Sequence, residues 1–426
     1  MRIAPFALFA LLLASPAWAC GEPAVIGGNF QTGANGWGEP DSQFGVSGAE
    51  ATFTAEVGTQ TARWNAGKAL TNLDACVTIA MPANTEDAAR GYAGLLFWVI
   101  DKDNFHQAVI SRNGMVTIAR KAGGRILPVA PIGWLQTSAL KLGPDAKNTL
   151  RVTLEGENVI LRINDTEVAR FRGQAPEAPS YVGLVASSAP AAVDTWRMTD
   201  FKVAEVAAPA AASTPPPPGN ATGDETGTIS EAQAAKCGTG RVLFEDKLTD
   251  HDPMWGSKGA EVTIGGGQAE FDPAPGSSTL RWNRAFVFGD LDACATVQLG
   301  KPTVNPTASY AGLLFWVQDS RNYHQVVVAP NGYFTVARVV DGKVVAKRPI
   351  GWTKVGAIKT GAKERNTLRV AVKGPEVQVS INGQQVGSFR GEPPPGPSYF
   401  GMLAASADSK AGDTWSISDL KVTAPQ

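Results

Sequence analysis

Short segments in which apolar and polar residues alternate, broken at close intervals by Gly, Pro, Asn and Asp, run through most of the chain. That two-residue period predicts β-strands throughout, and helical periodicity is hard to find anywhere. Asn113-Gly114 and Asn331-Gly332 each lie between two alternating runs, which predicts hairpins closed by type I′ turns with positive φ at both central residues. Asn382-Gly383 repeats the device, and Asn164-Asp165 is its weaker counterpart.

The pattern occurs twice. Tyr92-Ala-Gly-Leu-Leu-Phe-Trp98-Val99 returns as Tyr310-Ala-Gly-Leu-Leu-Phe-Trp316-Val317, at an offset of 218 residues. Asn148-Thr-Leu-Arg-Val, Asp194-Thr-Trp196 and Pro131-Ile-Gly-Trp134 also recur, as Asn366-Thr-Leu-Arg-Val, Asp413-Thr-Trp415 and Pro349-Ile-Gly-Trp352. The expected organisation is a signal peptide over 1–19, a first domain over 20–204, a linker over 205–236 and a second domain over 237–423. Each domain is long enough for one large all-β sandwich. The linker carries Pro215 to Pro218 among many small residues and buries too little apolar surface to fold, so the two domains are expected to move independently.

The leader reading rests on Arg2, the apolar run Phe6 to Ala14, and Ala17-Trp18-Ala19 as a cleavage site. It implies a periplasmic or secreted protein, and an oxidising compartment suits the four cysteines. Cys20 and Cys76 are 56 residues apart and Cys237 and Cys294 are 57 apart, so two intradomain disulfides, Cys20–Cys76 and Cys237–Cys294, are expected. An acylated Cys20 is the alternative and would orphan Cys76. Beyond the leader no apolar run approaches the roughly 18 residues that span a bilayer, so no membrane insertion is expected. Lys+Arg number 38 against 39 Asp+Glu, for a net charge of -1, which offers no basic field to a nucleic acid.

The order of a Gly-Leu-x-Phe strand, a polar Asp/Asn turn, an aromatic strand, an Asn-Gly turn, a strand ending in Arg and then Asn-Thr-Leu-Arg-Val resembles the concanavalin A-like jelly roll. It is most similar to the laminin-G-like branch, including the 3-keto-disaccharide hydrolase domain family. The resemblance implies an all-β fold class: two tandem jelly-roll β-sandwich domains joined by a Pro/Ala-rich linker. Strand and turn signatures identify a fold, and a fold hosts many activities.

Register arithmetic locates a candidate binding surface. If Asp101 to Asn104 is an even-length loop, Trp98 lies opposite Gln107, and a two-residue Asn113-Gly114 turn sets Gln107 opposite Arg120. One face would then carry Trp98, Gln107 and Arg120, and in the second copy Trp316, Gln325 and Arg338. A ring beside an amide and a guanidinium suits a sugar. The other reading places both Trp in the core, and one bulge residue would reverse the faces. His106 and His324 fall on the opposite face by the same count.

Only three His occur, and His251 has no counterpart in the first copy, which leaves no His-rich metal site in one domain. Asp101, Asp103 and Asn104 suggest calcium ligands, but Arg321 replaces Asp103 in the second copy, and Asx-turn chemistry accounts for the cluster. No cofactor is expected. Retaining glucanases of the jelly-roll class carry a Glu-x-Asp-x-x-Glu strand, which is missing, and no Ser/His/Asp set or nucleophile elbow is recognisable. The expected function is therefore recognition of a glycan or cell-envelope component through a sheet face, with avidity if both copies engage one polymer. A hydrolase of the 3-keto-disaccharide type and a structural or protein-interaction module are the alternatives.

Overall fold

A computed structural model describes residues 22–27, 30, 36–83, 91–207, 237–299, 308–361, 363–407 and 412–426. The expected leader, Cys20 and residues 208–236 of the expected linker lie outside the described residues. The fold is all-β, with four antiparallel sheets in two β-sandwich halves. In each half an eight-stranded sheet faces a seven-stranded one.

In the first half the seven-stranded sheet runs Ile132–Gln136, Met115–Ala122, Asn104–Ser111, Tyr92–Asp101, Tyr181–Ser187, Gln60–Trp64, with Arg125–Ile126 paired to Met115–Ala122. Sequence neighbours pair as hairpins in the middle, and the late strand Tyr181–Ser187 is inserted between two early ones, the crossing expected of a jelly roll. The second half repeats this order around Tyr310–Asp319.

Alternation decides which residues meet between the sheets. Ala93, Leu95 and Phe97 join Ala108, Ile110, Val116 and Ile118 in the core, with Trp196, Phe201, Leu150 and Val152 from the opposite sheet. The alternate residues Leu96, Val99, Phe105, Val109 and Val185 form a second apolar cluster on the outer face, flanked by Trp64, Tyr92 and Tyr181. Both faces of this sheet are therefore apolar over part of their area.

The Asn382-Gly383 hairpin is as expected: both residues have positive φ, 52° and 85°, and Ile381 pairs with Gln384 across a two-residue loop. Asn164 and Asp165, at 48° and 65°, close the equivalent hairpin in the same way. Cys237 and Cys294 are bonded, with Cα atoms 5.5 Å apart, as expected. Cys76 is also disulfide-bonded.

The two halves touch. Gln174 exchanges hydrogen bonds with the backbone of Val287, and Arg172 Nη1 donates to Glu245 O at 2.7 Å. Tyr399 Oη donates to Val129 O at 2.7 Å, and Leu127 and Val129 pack on the outer cluster of the second half. The independent movement expected from a Pro/Ala-rich linker is thus corrected by contacts made outside it: Leu127-Pro-Val-Ala-Pro131 is apolar, whereas the matching Val345-Ala-Lys-Arg-Pro349 is not.

Candidate functional site

Two hairpin details set which side chains converge. At Asn113-Gly114 only the Gly has positive φ, 84°, and the pairing Ile110–Val116 makes Arg112-Asn113-Gly114 a three-residue loop. The second copy does the same, with Gly332 at 87° and Val328 opposite Phe334. The expected type I′ turns are thus corrected to longer turns with Gly in the left-handed position. One extra loop residue shifts the register by one, so Arg120 faces His106, and Gln107 faces Ala119.

The second detail is Trp98, whose φ is +49°, as is that of Trp316. A bulge there breaks the alternation between Phe97 and Asp101, so Phe97 and Trp98 both turn into the core. The expected trio is therefore split in both copies. Trp98, His106 and Arg120 share one side, as do Trp316, His324 and Arg338, while Gln107 and Gln325 lie on the other face. His106, expected opposite the Trp, meets it edge to face at 5.1 Å and stacks on Phe97 at 5.4 Å.

Trp98 is only 2% exposed, so it is no open platform. Its rim and those of His106 and Arg120 instead wall a cavity of about 460 Å³ with Phe105, Gln174 and Tyr181. Arg120 Nη1 donates to Gln174 Oε1 at 2.5 Å and to Ala285 O of the second half at 3.3 Å. Burial lowers the guanidinium to about 10, against an opposing pull from the Tyr399 phenol. The second copy has a matching cavity of about 450 Å³, where Arg338 Nη1 meets Glu392 Oε2 at 3.0 Å.

Burial also holds both imidazoles low, helped by the neighbouring Arg: His106 lies well below the usual range and His324 is at about 4. Both are neutral in the folded state at pH 7. Because the unfolded chain takes up these protons near pH 6.5, it binds more protons than the folded one below that pH. Stability is therefore complete above about pH 6.5 and is lost as pH falls towards 4, by up to about 1.4 kcal/mol per pH unit for each His. Urea unfolding at pH 7.5, 6 and 5 should show this slope, and His324→Phe should reduce it; an unchanged slope in the variant would contradict the assignment.

The outer face of the same sheet holds a different set. Trp134 is 47% exposed on the edge strand Ile132–Gln136 and packs against Tyr92 with ring centroids 6.2 Å apart. Tyr92 alternates with Gly94 and Leu96, and its phenol donates to Gln60 Oε1 at 2.8 Å. A side chain at Gly94 is impossible, because a Cβ would lie 1.9 Å from Ala108 O. The glycine lets the neighbouring strand approach closely there, between Tyr92 and Gln107. Gln107 is 4% exposed, and its Oε1 has no hydrogen-bond partner. Trp64 flanks the cluster on the far strand.

The second copy keeps Tyr310 with Trp352 at 6.0 Å, but its face is altered twice. Arg348 sits over the Trp352 ring at 5.7 Å, and Leu127 and Val129 of the first half pack onto its apolar cluster. Trp134 is the more exposed of the two rings, 47% against 38% for Trp352.

Trp134 was marked in the sequence only by the repeat of Pro131-Ile-Gly-Trp134, and Tyr92 was not singled out for this role. Its signal is the Tyr-x-Gly spacing, which places a glycine beside it on the same face. Asp101 accepts from Asp103 N and Asn104 Nδ2, and Asn104 Oδ1 accepts from Gly123 N, the Asx-turn arrangement. Asp319, Arg321 and Asn322 repeat it.

No known family model matches the chain, and no curated protein matches it. Solved structures with similar parts include the carbohydrate recognition domain of Emp47p, at 16% identity and TM-score 0.34 over 45% of this chain and 99% of that one. The carbohydrate-binding module CBM66 from Bacillus subtilis matches at 14% identity and TM-score 0.32, over 41% and 99% of the two chains. A Bacillus licheniformis beta-glucanase matches at 8% identity and TM-score 0.33, over 44% and 100%. Likenesses of this size bear on neither ligand nor reaction.

Proposed function

We propose that this chain is a glycan-binding protein acting outside the cytoplasm, and that the outer face of its first seven-stranded sheet is the recognition surface. The observation that carries the reading is the juxtaposition of a half-exposed Trp134, its partner Tyr92, and a Gln107 amide oxygen without a hydrogen-bond partner on the same sheet face. An aromatic plane covers the apolar face of a pyranose while a fixed amide bonds its hydroxyls, and buried polar groups that lack partners favour a ligand that supplies them. Of the residues first expected to bind, Gln107 belongs to this surface and Gln325 to the equivalent face of the second half. Trp98, Arg120, Trp316 and Arg338 belong to the cavities beneath.

The Cys237–Cys294 disulfide suits a periplasmic or secreted location, and among the described residues no helix is long and apolar enough to cross a membrane. The two domains are read as 20–204 and 237–423. Since the second face is partly covered, one dominant site per chain replaces two equal ones, which reduces the scope for avidity.

A soluble-glycan array followed by calorimetry on the best ligand tests the reading. Trp134→Ala is expected to weaken binding by about tenfold or more, the worth of a central aromatic contact, with little change in thermal stability. Trp352→Ala is expected to do much less. Unchanged affinity in Trp134→Ala would remove this surface from consideration.

A further inference from the structure

The cavity behind Trp98 differs from its copy in charge at three wall positions, Gln174 for Glu392, Lys121 for Val339 and Glu177 for Pro395, and the exchange at Gln174 points to a ligand. We propose that the first-half cavity is a subsite for a uronic-acid sugar, whose carboxylate pairs with Arg120. This goes beyond the sheet-face reading and stands apart from it.

Arg120 is the central observation. Its two hydrogen bonds go to neutral oxygens, Gln174 Oε1 and Ala285 O, and among the described residues no carboxylate lies within ion-pair distance. A desolvated guanidinium without an anion is unfavourable, and a charged acceptor relieves it. Glu177 lines the mouth of the cavity, but Arg241 engages it at 2.6 Å. Two further polar atoms in the wall, Trp98 Nε1 and His106 Nε2, are buried without a hydrogen-bond partner.

The second half serves as an internal control. There the chain places its own carboxylate on the equivalent guanidinium, because Glu392 stands where the first half has Gln174. Trp316, His324 and an aromatic at Tyr323 in place of Phe105 are kept in the wall, while Lys121, Glu177 and Ile100 give way to Val339, Pro395 and Gln318. Where the first half has given up the carboxylate it has kept the charge that the carboxylate neutralises. A bound anion takes that place. At about 460 Å³ the cavity accommodates a monosaccharide unit, and Phe105 and Tyr181 offer apolar surface to a sugar ring.

Calorimetric titration of the full chain with D-glucuronate, D-glucose and acetate tests the proposal. Glucuronate should bind one per chain, with glucose and acetate each at least about tenfold weaker, in line with a charge-assisted pair supported by ring contacts. Gln174→Glu should reduce glucuronate affinity by about tenfold or more. Glu392→Gln should raise the stoichiometry from one to two, and because Glu392 is exposed and away from the contact between halves, it tests the idea even if Gln174→Glu loosens that contact. Trp134→Ala should leave glucuronate binding unchanged, so that failure of the sheet-face reading and failure of this one are separable. Equal binding of acetate or glucose, or unchanged behaviour in both charge variants, would overturn the proposal.

Discussion

Replacing Cys237 and Cys294 together by Ala is expected to lower the stability of the second half by about 4 kcal/mol. The bridge spans 57 residues, and in the chain-entropy view closing a loop of that length restricts the unfolded ensemble by about this amount. Cys294 lies in the middle of the buried strand Leu291–Leu299, opposite Arg369, while Cys237 precedes the first strand of that half. The bridge therefore ties the start of the repeat to its central strand. Chemical unfolding in urea, followed separately for the two halves by their tryptophans, should show the loss confined to the second. A loss below about 1 kcal/mol would mean that sheet packing already constrains residues near Cys237.

The next largest effect is expected from Asp292→Ala. Arg369 grips Asp292 in a bidentate pair, with Nε at 2.7 Å and Nη2 at 2.5 Å, and the carboxylate is 2% exposed. Thr423 Oγ1 donates to Asp292 O beside it. Arg151 and Asp74 form the same pair in the first half, where Thr153 adds a third donor. Removing the acid leaves a guanidinium over an emptied pocket. Breaking a buried pair costs about 3–5 kcal/mol, and since Arg369 is one-third exposed and rehydrates in part, about 3 kcal/mol is expected. Replacing both partners, Asp292→Leu with Arg369→Met, should recover much of that loss, because the cost lies in the unpaired charge. No recovery in the double variant would contradict this account of the pair.

Much of the fold was legible because it depends on periods and turns that recur twice. The Asn382-Gly383 hairpin, the Cys237–Cys294 bridge and the repeated strands follow from residue type and spacing alone. The candidate site was legible only in part, and the reason is a count of single residues. Arg112-Asn113-Gly114 holds three loop residues where a two-residue turn was expected, and Trp98 adopts a left-handed backbone that is rare for a large side chain. Either change alters which side chains share a face, and together they bring His106 to Trp98 and Arg120 and send Gln107 away.

The contact between the halves was hidden for another reason. A Pro/Ala-rich linker argues for freedom, but the docking is made elsewhere, by Leu127 and Val129 on one side and Tyr399 and Val287 on the other. Read as a repeat, the departure of Leu127-Pro-Val-Ala from Val345-Ala-Lys-Arg is the signal. Gln174 against Glu392 is the same kind of signal at the cavity. Differences between two otherwise matched copies are where the halves acquire separate roles.

The most direct measurement of the central claim is an amide and indole NMR titration of the full chain with the best ligand from the glycan array. Shifts should cluster on Tyr92, Gly94, Gln107 and the Trp134 indole. Shifts confined to the opposite eight-stranded sheet, around Lys147–Glu155 and Asn158–Ile163, or to the second half alone, would contradict the assignment of the ligand face.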